Sequence, residues 1–183
     1  MEPVTSQLNE RLVRVIEYAA RAHDEAARDE GNRIRRWDMR TPYIVHPVWC
    51  AMTLLQEPNI PEEVRYAGAE ALILHDVLED TTHSLPPDTS DRVRALVQGM
   101  TFDDSKQERE LVWERGDEII LLKLYDKTSN FLDASWKSHE KMEEYASYLL
   151  KFVERVQKAY GDLNIVLMAR ALAQNPHRFE KKA

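Results

Sequence analysis

The segment at residues 72–81, LILHDVLEDT, constrains the fold most, because four ionisable residues directly follow an apolar run. At about 100° per residue on an α-helix, His75 and Glu79 lie about 40° apart, as do Asp76 and Asp80. The four side chains therefore share one wedge of roughly 140°, with the His-Asp pair one turn before the Glu-Asp pair. The segment predicts a helix whose last turns present one polar face.

This polar face has two interpretations. A solvated acidic helix end explains Glu79 and Asp80, but it does not explain a His-Asp pair directly after ALIL. A neutral imidazole and a neighbouring carboxylate can both bind one cation. The acidic pair one turn further on would then face whatever that cation binds.

Apolar residues recur at helical spacing along the rest of the chain. The sequence predicts helices over residues 5–30, 47–55, 61–80, 91–100, 118–132, 140–160 and 163–173, and a mobile or surface helix over 105–115. No segment alternates between apolar and polar residues as a half-buried strand does, and there is no internal repeat or linker. We therefore expect an all-α protein, a single-domain bundle of roughly seven or eight helices that occupies residues 1–183.

The composition narrows the possible partners. The net charge of −7 argues against nucleic acid, and a phosphate-bearing ligand would need local cations or a metal. The Arg-rich loop, residues 32–40 (NRIRRWDMR), is one such local group, and a solvated loop is its alternative interpretation. No apolar run is long enough to span a membrane, there is no secretion-signal layout, and Cys50 is the only cysteine. These features predict a cytoplasmic protein without a membrane partner; they leave the oligomeric state open.

Two further segments carry candidate ligands. His46 lies in PYIVHP next to a helix start, where a histidine is more often a hydrogen-bonded core residue. Asp126 lies deep in an apolar helix, where a carboxylate has to be paired or metal-bound because an isolated buried charge is costly. Together with His75 and Asp76 they form a mixed nitrogen and oxygen set. Such a set suits Mn²⁺ or another first-row divalent ion with open positions better than thiolate-type structural zinc.

The motifs PYIVHP, HDVLEDT and KLYDKTSN stand in the order and type found in the HD-domain phosphohydrolases. More narrowly, about residues 8–172 resemble the (p)ppGpp hydrolase domain of RelA/SpoT homologues and the stand-alone small alarmone hydrolases, including the metazoan SpoT homologue. The resemblance implies an HD-type helical bundle with one Mn²⁺ ion. It implies these metal ligands: His46, His75, Asp76 and Asp126.

The same resemblance implies roles for five other residues. Glu79 and Asp80 match the water-activating acids, Arg28 matches a residue that contacts the guanine base, and Lys123 and Asn130 lie in the substrate-side motif. The implied reaction removes the 3′-pyrophosphate of guanosine tetra- or pentaphosphate and gives GDP or GTP plus pyrophosphate. The synthetase domain of the long bifunctional members has no counterpart in these residues, so we expect a hydrolase-only protein.

Departures from the family pattern concern the nucleotide side. Asp29 stands where a basic residue is usual, the loop before PYI is longer and Arg-rich, and DKTSN lacks the aromatic or imidazole group before Asn130. Two alternatives therefore stay open. One is another HD-domain nucleotide phosphohydrolase, such as a nucleotidase or an NADPH 2′-phosphatase; the other is a non-catalytic alarmone-binding domain. A helical scaffold without a site is the remaining alternative.

Overall fold

The computed structural model describes residues 4–177, which form eight α-helices. The helices are α1 (Val4–Ala26), α2 (Val45–Leu55), α3 (Glu62–Asp80), α4 (Asp91–Met100), α5 (Ser105–Leu111), α6 (Asp117–Leu132), α7 (His139–Tyr160) and α8 (Asn164–Ala173). No β-strand forms within residues 4–177, so the predicted all-α class is confirmed. Over the same residues, every helix is too short or too polar to traverse a lipid bilayer.

The structure differs from the sequence prediction mainly in two segments. The first helix ends at Ala26 rather than near residue 30, because the chain turns to pair with the end of α3: the Arg28 amide donates to the Asp80 carbonyl at 2.8 Å. The charged stretch 105–115 is not only a surface helix. Glu108 and Val112 are buried there, so α5 and the short 3₁₀ turn after it pack inward.

The centre of the bundle is α6, which contacts α2, α3, α4, α7 and α8. Its run of fully buried apolar residues fills the core, as expected for a helix that is apolar on most sides. Gly68 lets α3 approach its neighbours closely, because a Cβ there would lie 2.8 Å from Leu54 Cδ2 of α2 and 3.0 Å from Leu122 Cδ2 of α6. The three helices that carry the candidate ligands are thus packed directly against one another.

Candidate metal centre and active site

The four predicted metal ligands lie together where α2, α3 and α6 meet. His46 Nε2 lies 3.5 Å from Asp76 Oδ2 and 3.5 Å from Asp126 Oδ1. His75 Nε2 lies 3.0 Å from Asp76 Oδ1 and 3.8 Å from Asp126 Oδ1. One ligand atom each from His46, His75 and Asp126 falls within 4.8 Å of the other two, and Asp76 brings its carboxylate against both rings. All four side chains are buried.

The two imidazoles are oriented for a cation. His46 Nδ1 lies 2.8 Å from Ser129 Oγ, and His75 Nδ1 donates to the Leu72 carbonyl at 2.7 Å. Their buried Nε2 atoms make no hydrogen bond within the described residues 4–177. A nitrogen that is buried, unpartnered and aimed at carboxylate oxygens is costly without a ligand. His46, His75 and Asp126, with Asp76 beside them, therefore form a group that fits a divalent metal ion.

Two lysines of α6 hold Asp126 in place. Lys123 Nζ lies 3.3 Å from Asp126 Oδ2 and 2.8 Å from Glu108 Oε2, while Lys127 Nζ lies 3.1 Å and 2.7 Å from the same two carboxylates. Although burial opposes ionisation, Lys127 and Lys123 hold the pKa of Asp126 well below its usual range. Lys123, a predicted substrate residue, is almost fully buried in this ion-pair group.

A second chain of contacts reaches Asp126 from the Arg-rich loop. Arg35 is buried; its Nε lies 2.7 Å from Asp133 Oδ2 and its Nη2 donates to Asn130 Oδ1 at 3.0 Å. Asn130 Nδ2 in turn donates to Asp126 Oδ1 at 2.6 Å. One arginine of this loop therefore supports the metal group instead of meeting solvent.

Glu79 and Asp80 occupy the last turn of α3 and are half-buried. Glu79 Oε1 accepts a hydrogen bond from the Phe102 amide at 2.8 Å, and burial raises the pKa of Glu79. Burial, followed by the carboxylate of Asp76, raises the pKa of Asp80 to about 7. A carboxylate whose pKa is raised in this way is a stronger proton acceptor than a solvated one.

Arg28 lies outside this group. Its Nε donates to the Thr81 carbonyl at 2.9 Å and its Nη2 to the Leu78 carbonyl at 3.3 Å. The guanidinium thus satisfies free carbonyls at the C-terminal end of α3, a position the helix dipole favours for a cation. The guanine contact of Arg28 stays a prediction, and two of its guanidinium nitrogens already donate to these carbonyls.

A cavity of about 500 Å³ lies beside the metal group. Its wall includes Tyr43, Lys127 and Asn130, each of which contacts a candidate ligand; the Tyr43 hydroxyl donates to Asp76 Oδ2 at 2.8 Å. The cavity is also lined by basic side chains from three segments: Arg36, Arg109, Lys137 and Lys141. A ligand with anionic groups fits this lining better than a neutral one.

Sequence reasoning missed several residues around the ligands: Arg35, Tyr43, Glu108, Lys127 and Ser129. Tyr43 and Lys127 had a signal, since each stands in a quoted motif within three residues of a ligand. Glu108 had none, because its partners Lys123 and Lys127 lie on a different helix.

The arrangement of helices is that of an HD-type bundle, and comparison with solved structures supports this assignment. The chain superposes with a TM-score of 0.69 and 22% identity on a structure described as a metazoan ortholog of SpoT that hydrolyzes ppGpp and plays a role in starvation responses. The match covers 90% of this chain and 94% of that one. No described protein family and no curated protein matches the sequence. The likeness therefore shows a shared fold.

Proposed function

We propose that this protein is a Mn²⁺-dependent phosphohydrolase that removes the 3′-pyrophosphate of guanosine tetra- or pentaphosphate, giving GDP or GTP and pyrophosphate. The observation that carries the proposal is the convergence of His46, His75, Asp76 and Asp126 beside a basic cavity. The shared fold with a structure described as a ppGpp hydrolase supports it. The buried free thiol of Cys50 agrees with a reducing cytoplasm as the compartment.

The four ligands would hold one Mn²⁺ ion, which supplies polarisation of a phosphoryl oxygen and a lowered pKa for bound water. Glu79 and Asp80 orient the attacking water and accept its proton. Water then forms the new bond to phosphorus while the bond from phosphorus to the 3′ oxygen breaks, and that oxygen leaves as a hydroxyl after it takes up a proton. Lys127 and Asn130 keep Asp126 in position during the reaction.

The test of the reaction is a competition assay in Mn²⁺ with ppGpp, NADPH and nucleoside monophosphates at equal concentration. Pyrophosphate release from ppGpp is expected to dominate. Glu79→Gln and Asp80→Asn should keep the metal but lower turnover by about 10²–10⁴-fold, the range typical of general acid–base groups. Intact ppGpp beside consumed NADPH or monophosphate would contradict the alarmone assignment.

The test of the metal group is elemental analysis of protein purified without chelator. We expect about one transition ion per chain, because ligand atoms of His46, His75 and Asp126 lie within 4.8 Å of one another, with the Asp76 carboxylate against both rings. His75→Ala and Asp126→Ala should lose the ion. His83→Ala, a change of the same type on the loop after α3, should keep it, because the His83 ring lies beside Tyr18 and is not part of the group. Full occupancy in both ligand variants would overturn the site.

A second candidate is another HD-domain nucleotide phosphohydrolase, such as a nucleotidase or an NADPH 2′-phosphatase. The observation that favours it is the position of Arg28, whose guanidinium binds the carbonyls of Leu78 and Thr81 and does not line the cavity. The competition assay above separates the two candidates directly.

A further inference from the structure

Four cations line the same cavity, and we call them the cation pocket: Arg36, Arg109, Lys137 and Lys141. Two of them lie over Trp136. The Arg36 guanidinium carbon lies 5.1 Å from the centre of its ring system, and Lys137 Nζ lies 4.2 Å from it. Three separate parts of the fold contribute to the pocket. The Arg-rich loop supplies Arg36, α5 supplies Arg109, and the start of α7 supplies Lys141 together with Lys137 just before it.

The cation pocket is not neutralised by acids of the protein. Within residues 4–177, none of its four members forms an ion pair. Two acids that line the same cavity are already engaged, Asp133 with Arg35 and Glu108 with the lysines of α6. The third, Glu144, forms no ion pair with the four cations among the described residues. Burial and then the three neighbouring cations lower the pKa of Lys137.

Two cations of the pocket also lie at the N-terminal end of a helix, where the helix dipole disfavours positive charge. Lys141 stands in the first turn of α7 and Lys137 just before its cap Ser138, where the helix dipole favours anions. Arg36, Arg109 and Lys141 are exposed and Lys137 is half-buried, so water can solvate these charges in the free protein. In a chain with a net charge of −7 they are a local concentration of unpaired positive charge that favours an anionic ligand.

The lining of the cavity therefore has two parts with different chemistry. Tyr43, Lys127 and Asn130 contact the carboxylates of the metal group, and the cation pocket supplies four further basic side chains. We propose that the cation pocket binds a second phosphate-bearing group of the substrate, the one that is not hydrolysed, and selects nucleotides phosphorylated at two positions. This inference rests on the proposed function and specifies its substrate class.

The kinetic test compares guanosine 3′-diphosphates that carry one, two or three phosphates at the 5′ position. Wild-type kcat/KM should rise with the number of 5′ phosphates. Lys137→Ala and Arg36→Ala should raise KM for the two-phosphate substrate about tenfold, the size expected for one lost charge-assisted contact, and flatten the dependence on phosphate number. Turnover at saturation should change by less than about twofold, because neither residue contacts the metal group.

The matched control is Lys158→Ala, which removes the same charge from an exposed site on α7 about 25 Å along the helix from Lys141. It should leave KM unchanged. Circular dichroism verifies that each variant is folded. Wild-type KM and an unchanged phosphate dependence in Lys137→Ala, Arg36→Ala and their double variant would overturn the inference while the proposed function stands.

A binding measurement separates failure of the inference from failure of the proposed function. Equilibrium dialysis of GDP and guanosine against the purified protein needs no hydrolysis. Tighter binding of GDP than of guanosine, lost in Lys137→Ala and kept in Lys158→Ala, supports the cation pocket even if ppGpp is not cleaved. Equal binding of GDP and guanosine by the wild type counts against it even if ppGpp is cleaved.

Discussion

Lys123 and Lys127 each contact both Glu108 and Asp126, so one buried and one partly buried cation face two buried carboxylates. Removing one member of such a group leaves an uncompensated buried charge, which is far more costly than a lost surface pair. The quartet explains how a carboxylate is tolerated in the core of α6. It also keeps Asp126 ionised, which a metal ligand requires.

At the same scale, Ser129 orients His46: its Oγ lies 2.8 Å from Nδ1, on the opposite side of the ring from the Nε2 that faces the carboxylates. We expect Ser129→Ala to lower metal affinity by about 10–100-fold, because the ring loses the contact that fixes its orientation. Competition of the protein with a fluorescent chelator measures the affinity. Ser147→Ala, an exposed serine on α7, is the matched control, and equal affinities in the two variants would contradict this role.

At the scale of elements, α8 begins at Asn164 without a side-chain cap from its own N-cap residue, Leu163. Glu57, distant in sequence and buried, takes that role: its oxygens accept from the amides of Asn164 at 3.1 Å and Ile165 at 2.8 Å. The start of α8 is therefore tied to the segment that follows α2. A carboxylate at this position also complements the helix dipole.

Glu57→Ala should lower the free energy of unfolding by about 2–3 kcal/mol, because two amide groups at the start of α8 lose their acceptor in a buried place. Denaturant titration measures the change. Glu154→Ala, an exposed acid on α7, should stay within about 0.5 kcal/mol of the wild type. A loss at Glu57 no larger than at Glu154 would show that the cap contributes little.

At the scale of the whole molecule, the packing of α2, α3 and α6 forces two carboxylates and two unpartnered imidazole nitrogens together. A divalent ion at this group would be held only by the folded chain, because the candidate ligands come from three separate helices. Metal binding there would therefore be linked to folding stability.

Mn²⁺ at about 100 times its dissociation constant should add about 2.7 kcal/mol of stability and raise Tm by about 5–10 °C over chelator-treated protein. Thermal unfolding followed by circular dichroism measures the shift. His75→Ala should abolish it and His83→Ala should retain it. The same shift in both variants would place the stabilising ion elsewhere.

Local patterns in the sequence were sufficient to predict the fold class, most of the helices and the candidate ligands. Helical periodicity predicted the all-α class and, within a few residues, most of the helices, since periodicity reports the face that each helix buries. The sequence also indicated candidate metal ligands. His75 and Asp76 stand at the end of an apolar run and Asp126 inside one, where burying a polar side chain costs free energy unless it has a partner. Ser90, the N-cap of α4, accepts the Val93 amide, as expected for a residue type that caps helices well.

Only the tertiary structure decided how the charged side chains divide their roles. Two adjacent arginines of the Arg-rich loop have different environments. Arg35 is buried against Asp133 and Asn130, whereas Arg36 belongs to the cation pocket. Lys123 is held by Glu108, and Arg28 turns to the end of α3. These outcomes depend on partners that are distant in the sequence. Glu108 is 15 residues from Lys123, and Asp133 is 98 residues from Arg35. A charged side chain pairs with the opposite charge that helix packing places close to it. The distance between two charges in space cannot be read from their separation in the sequence.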